Sequence, residues 1–462
     1  MRIAVVGLGK LGACVAASFA YKGFTVCGVD VSPSTVARVN EGAPPVFEPG
    51  LEQIMAASRG RFDATLDYGE AVRGSEATFI VVPTPSDENG AFSLRHVTEA
   101  ARSVGRALRE SAGYHVVVLT STVLPGGTGS IVLPILEQES GKSCGRDFGL
   151  CYSPEFIALG TVIRDFLNPD FVLIGESDPR AGTALASLYR TVCDNRPEIA
   201  RMNLVNAELA KIAVNTFVTL KISFANMLAA LAERIPACDV DVVTSALGLD
   251  SRIGSRYLKG GVGYGGPCFP RDNRALAYMA VQLGERALLA EATDAYNQTI
   301  VPRLAGYARA HAPRGGRIAV LGVSYKPGSN VVEASQGLEL ARLLAEEGFQ
   351  VAVFDPLALD SARRQLGDRV TYLDSLESAV GDADVAVIVN PDPAFRGLQR
   401  HVSENGANCV LIDAWRLLRG LDGGVHQNYV PLGIGPQNGA RSGAQDGVEM
   451  SLSAAQGTAL TV

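Results

Sequence analysis

Aromatic and basic side chains are scarce in these 462 residues: Phe, Trp and Tyr make up 6%, with one Trp and five His. Acidic residues outnumber Lys and Arg by 48 to 41, a formal net charge of −7, so no broad basic face for nucleic acid is expected. Eight cysteines, at 14, 27, 144, 151, 193, 238, 268 and 409, stand without CxxC spacing. Their scatter argues against a zinc site or a disulfide framework; no metal is expected, and a reducing cytoplasm is. No run of 18 uncharged apolar residues occurs, so no membrane partner is expected. The apolar run after Met1-Arg2 imitates a signal peptide, but Lys10 interrupts it.

What is present is apolar: hydrophobic residues are 47% of a chain long enough for two or three domains with substantial cores. The opening residues RIAVVGLGKLG give a short apolar strand followed by Gly7-x-Gly9-x-x-Gly12. A helix is expected over 13–22 and a second strand over 25–29, ending in Asp30. A glycine triplet between strand and helix is a dinucleotide fingerprint. Gly7 permits the tight turn, Gly9 lets a pyrophosphate approach, and Gly12 allows close helix–strand packing. The helix N-terminus faces phosphate, and Asp30 is placed to bond ribose hydroxyls, favouring NAD over NADP.

Further parallel strands are expected at 77–82, running into Pro83-Thr84-Pro85, and at 115–120, running into Ser121-Thr122. Both turns lie at the carboxyl edge where doubly wound sheets bind ligands, although Thr84 and Thr122 are equally suited to bonding their own turns. Polar loops around Glu155 and Asp165 precede a strand at 171–175. A long helix without Gly or Pro is expected over 206–234, with Lys211 and Asn215 on one face. Mid-helix lysines are mostly solvated, but the apolar neighbours of Lys211 make a cleft position plausible. A second helix is expected over 240–247. Then comes Gly260 to Asp272, GGVGYGGPCFPRD, in which glycines leave room for a ligand to approach the backbone. Cys268 there is either a covalent nucleophile or a small thiol in a tight turn.

After about residue 300 the pattern begins again. RIAVLGVSYK at 317–326 echoes the start, and VAVIVNPDP at 385–393 echoes residues 79–85. With a helix over 336–347 and a strand over 350–354, this reads as a second Rossmann-like domain. It lacks the third glycine, so no second dinucleotide site is expected. From about Gly433 the composition is Gly, Ser, Ala and Gln without periodicity, and disorder is expected.

Taken together, the fingerprint, AELAKIAVN and GYGGPCFPRD resemble the nucleotide-sugar 6-dehydrogenase family, the UDP-glucose and GDP-mannose dehydrogenases, over about residues 1–432. The resemblance implies an α/β fold: two Rossmann-like doubly wound parallel-sheet domains joined by a helical dimerisation region. The expected divisions are an NAD domain at 1–200, the helical region with the cysteine loop at 201–300, a nucleotide-sugar domain at 301–432, and the tail at 433–462. It implies a homodimer and an NAD-dependent four-electron oxidation of a nucleotide sugar to a uronic acid. UDP-glucose is the default substrate, with a UDP-N-acetylhexosamine or GDP-mannose as alternatives.

By the same resemblance, Cys268 is the nucleophile, Lys211, Asn215 and Asp272 its polar partners, and Thr122 and Glu155 the pair that positions water or shuttles protons. Leu11 and Thr84 join Gly7, Gly9, Gly12, Asp30 and Thr122 in the cofactor set. Arg252, Tyr257, Gly265 and Lys326 join Glu155 and Lys211 in the substrate set, with Arg252 reaching a neighbouring subunit. Three positions depart from the family pattern: Leu159 where a Glu is usual, Glu333 where a cofactor-associated Arg is usual, and Trp415 where an Arg is usual, with Arg416 one place late. These suggest the same chemistry on a less usual sugar nucleotide, with Trp415 offering a stacking face, or else a diverged loop geometry. The competing readings are a two-electron β-hydroxyacid-type dehydrogenase and a non-catalytic NAD-binding regulator.

Overall fold

Side chains of the first strand, β1 (Arg2–Val6), enter two different cores: Ile3 and Val5 one, Ala4 and Val6 the other. A strand buried on both faces needs helices on both sides, the arrangement of a parallel α/β sheet. The computed structural model describes residues 1–398, 409–419 and 428–436. β1 is joined by β2 (Thr25–Val29), β3 (Phe62–Thr65), β4 (Ala77–Ile80), β5 (His115–Leu119), β6 (Phe148–Tyr152), β7 (Phe171–Glu176) and β8 (Glu198–Asn203). Their order is β3-β2-β1-β4-β5-β6-β7-β8. All neighbours are parallel except β6 and β7, so the doubly wound sheet carries an added pair running the other way. The order reverses at β1, whose carboxyl end therefore opens a crevice.

The second sheet repeats that plan with β9 (Arg317–Leu321), β10 (Gln350–Phe354), β11 (Thr371–Tyr372), β12 (Val385–Ile388), β13 (Val410–Asp413) and β14 (Tyr429–Pro431). The order is β11-β10-β9-β12-β13-β14, with every pair parallel. Here too, Ile318 and Val320 enter one core, and Ala319 and Leu321 the other. The expected class, two Rossmann-like sheets with a helical region, is the observed one.

The chain divides into two compact units: Met1–Val214 with Tyr278–Glu285, and the described residues of Asn215–Ala277 with Arg286–Val462. The helix Leu204–Ala232 contributes residues to both. By length and composition it could cross a membrane. Its Glu208 and Lys211 are instead buried in polar contacts with loops of the first unit, which suits a core helix.

One expectation is corrected at the carboxyl end. Gly433 to Pro436 are ordered: Ala237 donates to the Pro436 carbonyl at 3.0 Å, Gly435 to that of Cys238 at 2.8 Å, and Val240 to that of Gly433 at 3.0 Å. Backbone pairing, invisible in a low-complexity composition, fixes these four residues. The rest of the expected disordered tail, 437–462, lies outside the described residues.

Candidate active site

In the first unit, the glycine turn is built as its spacing implies. Gly7 has φ +91°, the left-handed region, and a Cβ at Gly12 would lie 1.8 Å from the Gly7 carbonyl oxygen. Gly9 differs. Its φ is −68°, and a Cβ there would meet nothing within 4 Å. The protein's own packing does not require glycine at 9, so the open cradle fits a phosphate-bearing ligand that approaches the backbone. The helix Lys10–Tyr21 starts there with no side-chain cap, leaving its first amides directed outward. Asp30 accepts from the Leu8 amide at 2.8 Å and the Ser32 amide at 2.9 Å, which fixes its carboxylate beside the turn. Carboxylate oxygens have about four acceptor sites in all, so capacity remains for ribose hydroxyls. Leu11 packs partly against the core, and Thr84 is buried. These residues fit NAD.

The second sheet repeats the turn with a longer loop. Gly322 has φ +96° and donates to the Phe354 carbonyl, as Gly7 donates to that of Val29. A Cβ at Gly337 would lie 2.0 Å from the Gly322 oxygen, so Gly337 fills the place of the glycine that the sequence seemed to lack. Separation by 14 intervening residues hid it from motif spacing. The acid after β10, Asp355, is buried and accepts five hydrogen bonds, from Val323, Ser324 (amide and hydroxyl), Leu357 and Ala358. Its acceptor sites are filled by the protein, so it cannot read a ribose as Asp30 can.

Beyond β5 and β6 the first unit gathers polar groups. Leu119 pairs with Tyr152, and Thr122 and Glu155 each lie three residues further on. Ser121, which sequence reasoning passed over, binds both the amide (3.0 Å) and the carbonyl (2.7 Å) of Val82, tying together the turns that carry Thr84 and Thr122. Buried Glu208 accepts from the amides of Gly126 (2.6 Å) and Thr128 (2.7 Å), fixing the end of the Thr122 loop. Burial raises its carboxyl above the usual range, while the Thr128 and Gly126 bonds oppose the rise. The only sequence signal for it was a carboxylate inside an apolar helical stretch. Lys211 is buried, donates to the Glu155 carbonyl at 2.7 Å, and lies 4.5 Å from the Phe156 ring centroid.

Glu155 itself keeps some exposed surface, but its carboxyl accepts from the Tyr189 hydroxyl at 3.2 Å. Burial pushes it up to about 7, against the opposing effects of that bond and the Lys211 cation. Nearby, buried Glu48 accepts from the amides of Gly160 (3.0 Å) and Val162 (2.9 Å), holding the loop that follows Glu155. Leu159, in that loop, packs against the hydrophobic core.

In the second unit, Cys268 is exposed immediately before the helix Phe269–Gln282, and its carbonyl accepts from the Asp272 amide at 2.8 Å. Cys268 therefore stands at the positive, N-terminal end of that helix's dipole. Asp272 is fully buried. Its Oδ2 accepts from Asn215 Nδ2 at 2.6 Å, and Arg271 Nε is 3.5 Å from its Oδ1. That Oδ1 has no hydrogen-bond partner among the described residues.

The glycines before Cys268 serve a different purpose from the one their sequence suggests. A Cβ at Gly261 would come within 2.6 Å of the Trp415 ring, at Gly265 within 2.3 Å of the Ala334 carbonyl, and at Gly266 within 2.5 Å of the Tyr325 ring. Neighbouring protein fills the space expected for a ligand. Two buried amides lace the loop. Asn226 accepts from Gly261 (2.8 Å) and donates to the Val262 carbonyl (2.9 Å); Asn297 accepts from the Tyr264 amide (2.9 Å) and donates to its carbonyl (3.0 Å). Nothing in the sequence singled out either.

Trp415 also departs from expectation. Its ring lies on Gly261 and its indole N–H donates to the Val389 carbonyl at 2.7 Å, so it supports the cysteine loop. Arg416, with φ +55° and a buried guanidinium, grips Asp241 through two 2.8 Å bonds and donates to the Gly260 carbonyl at 2.6 Å. Glu333 offers its carbonyl to the Gly266 amide at 3.0 Å while its side chain is exposed. Arg252 is exposed and paired with Asp250, Tyr257 is exposed at φ +62°, and Lys326 lies 5.9 Å from the Tyr325 ring centroid.

Comparison with known proteins gives a consistent picture. The chain matches, in series, the UDP-glucose/GDP-mannose dehydrogenase family's NAD binding domain over residues 1–193, its central domain over 205–299 and its UDP binding domain over 319–420. It is 33% identical to the UDP-glucose 6-dehydrogenase AglM of Haloferax volcanii over 434 residues, 93% of this chain and 100% of that protein. It is 34% identical to the GDP-mannose 6-dehydrogenase of Pseudomonas putida over 415 residues, 86% of this chain and 93% of that one. Among solved structures, a UDP-glucose dehydrogenase from Pyrobaculum islandicum superposes with a TM-score of 0.84 at 36% identity, covering 94% of this chain and 98% of the other.

Proposed function

Because the chain belongs to the UDP-glucose/GDP-mannose dehydrogenase family, we propose that it oxidises the C6 hydroxymethyl of a nucleotide sugar to the carboxylate, with UDP-glucose as default substrate and Cys268 as nucleophile. The observation that carries this reading is Asp272. A buried carboxylate one helical turn after an exposed cysteine, whose Oδ1 meets Arg271 Nε at 3.5 Å but accepts no hydrogen bond among the described residues, is incompletely satisfied and fits a site that a polar group enters.

Alcohol to acid is a loss of four electrons as two hydrides, with one water taken up. Two NAD molecules, bound in succession, would each accept one hydride. Gly7, Gly9 and Gly12 would hold the cofactor's phosphates, and Asp30 its ribose. Glu155, with a carboxyl near 7, can take the alcohol proton at neutral pH. The Cys268 thiolate adds to the aldehyde carbon and keeps it on the protein as a thiohemiacetal. Loss of the second hydride makes a thioester, and water positioned by Thr122 and Glu155 hydrolyses it, returning the thiol. Lys211 and Asn215 stabilise the negative oxygen of each tetrahedral species.

The exposed apolar residues Phe217 (62%), Phe224 (43%) and Leu231 (52%) recur at heptad spacing along the long helix, with Val242 (66%) on the next. We read this face as the seat of a second copy, in a homodimer. Assay of NADH formation across UDP-glucose, UDP-N-acetylhexosamines and GDP-mannose tests the function. Turnover of UDP-glucose above the others supports the default substrate, and preference for another reassigns the sugar. No turnover with any would favour a non-catalytic NAD-binding protein.

A further inference from the structure

A carboxyl that gains and loses a proton in every cycle needs neighbours that suit both of its forms. An ionised carboxylate only accepts hydrogen bonds; a protonated one must also donate. Fixed amide donors serve only the first form. Hydroxyl groups serve both, because they can rotate.

Glu155 faces such a chain. Its Oε1 lies 3.2 Å from the Tyr189 hydroxyl. The Tyr189 oxygen lies 3.0 Å from Ser153 Oγ, which in turn lies 3.1 Å from the Leu173 carbonyl. Tyr189 and Ser153 are 2% and 1% exposed, so the chain is shielded from solvent that could replace its bonds. With Glu155 ionised, Ser153 donates to Tyr189 and Tyr189 to the carboxylate. With Glu155 protonated, the two bonds between these side chains reverse, Glu155 donating to Tyr189 and Tyr189 to Ser153, and the Ser153 hydrogen turns to the Leu173 carbonyl. No heavy atom has to move, and no hydroxyl hydrogen is orphaned in either state.

We propose that Tyr189 and Ser153 are positioning residues for Glu155, a reversible hydroxyl chain that keeps both of its protonation states hydrogen-bonded. This rests on the reading of Glu155 as the base. The other titratable groups facing it are the Lys211 cation, whose charge opposes protonation, and Cys193. Burial and the charges of Glu155 and Asp194 push the Cys193 thiol up to about 12, so it stays neutral while Glu155 titrates.

The two ends of the chain have opposite effects. Tyr189→Phe removes the charge-assisted bond to the ionised carboxylate, favouring protonation. Ser153→Ala leaves that bond but strands the Tyr189 hydrogen when Glu155 is protonated, favouring ionisation. The experiment is the pH profile of kcat at saturating cofactor and sugar for wild type, Tyr189→Phe, Ser153→Ala and Glu155→Gln. NAD binding by each variant serves as the check on folding. The acid limb should move alkaline in Tyr189→Phe by about one pH unit, the size expected for one bond to a charged group. It should move acid in Ser153→Ala and disappear in Glu155→Gln. If Glu155→Gln abolishes the limb but the other two shift it in the same direction or not at all, the hydroxyl chain is refuted while Glu155 remains the base. A limb that survives Glu155→Gln overturns both.

Discussion

Asn215 holds Asp272 by a single 2.6 Å hydrogen bond to Oδ2, inside a site where the carboxylate is fully buried. The other oxygen has no hydrogen-bond partner among the described residues. Arg271 Nε lies 3.5 Å from that oxygen without hydrogen-bonding it, so the buried charge is only partly compensated and a neutral amide of the same shape relieves its desolvation. Asp272→Asn is therefore expected to fold, bind NAD and melt no lower than wild type. Its turnover should fall by about 10²-fold or more, the usual scale for a group acting on protons or charge in the transition state. A lower melting temperature with near-normal turnover would make Asp272 a structural residue.

Glu155 carries a dependence on pH that appears in both activity and stability. Burial pushes its carboxyl up from 4.5 to about 7 in the folded protein. Turnover that requires the ionised form should rise through about pH 7, and Glu155→Gln should lower it by about 10²-fold or more. The raised value means that the folded state binds this proton more tightly than the unfolded state does. The group's contribution to stability is thus full below pH 4.5 and is lost as pH rises through 7. Glu155→Gln should melt above wild type at pH 8, with the gap closing towards pH 4.5. Melting curves at both pH values check the sign; a gap that widens at low pH contradicts it.

Gly9 and Gly12 separate ligand binding from packing. At Gly9, φ −68° suits any residue and a Cβ would meet no protein atom, so Gly9→Ala should leave the melting temperature unchanged. The added methyl intrudes where the pyrophosphate is expected, and affinity for NAD should fall by about tenfold or more, equivalent to about 1.4 kcal/mol. At Gly12, a Cβ would lie 1.8 Å from the Gly7 oxygen, so Gly12→Ala should destabilise the first unit itself. Calorimetric titration with NAD and thermal melts of both variants test the division. Equal effects of the two substitutions on stability would refute it.

Much of this was legible in the sequence because it depends on short-range pattern. The glycine triplet, the alternating strands and the acid after β2 are local signals, and all appear where their spacing put them. What escaped depends on partners distant in the chain. The glycines at 261, 265 and 266 suggested an opening for ligand, yet Trp415, Ala334 and Tyr325 occupy that space. No local rule shows that residues some 60 to 150 positions away return to fill it. Gly337 escaped for the same reason, since a long loop between paired glycines erases the motif while preserving the contact. Arg416 looked displaced by one position, but its left-handed backbone turns the guanidinium onto Asp241 and Gly260. Tyr189 and Ser153 are residue types that usually mean only a satisfied core hydroxyl, and their meaning lies in facing a carboxyl near 7.

The central claim is that Cys268 retains the aldehyde, so that two oxidations occur before anything is released. The most direct measurement counts NADH and sugar acid at completion, with limiting nucleotide sugar, in wild type and in Cys268→Ala. Wild type should give two NADH per acid with no aldehyde captured by an added hydrazine, and Cys268→Ala should bind NAD yet make no acid. One NADH per sugar with a carbonyl product, or undiminished acid formation by Cys268→Ala, would contradict the account.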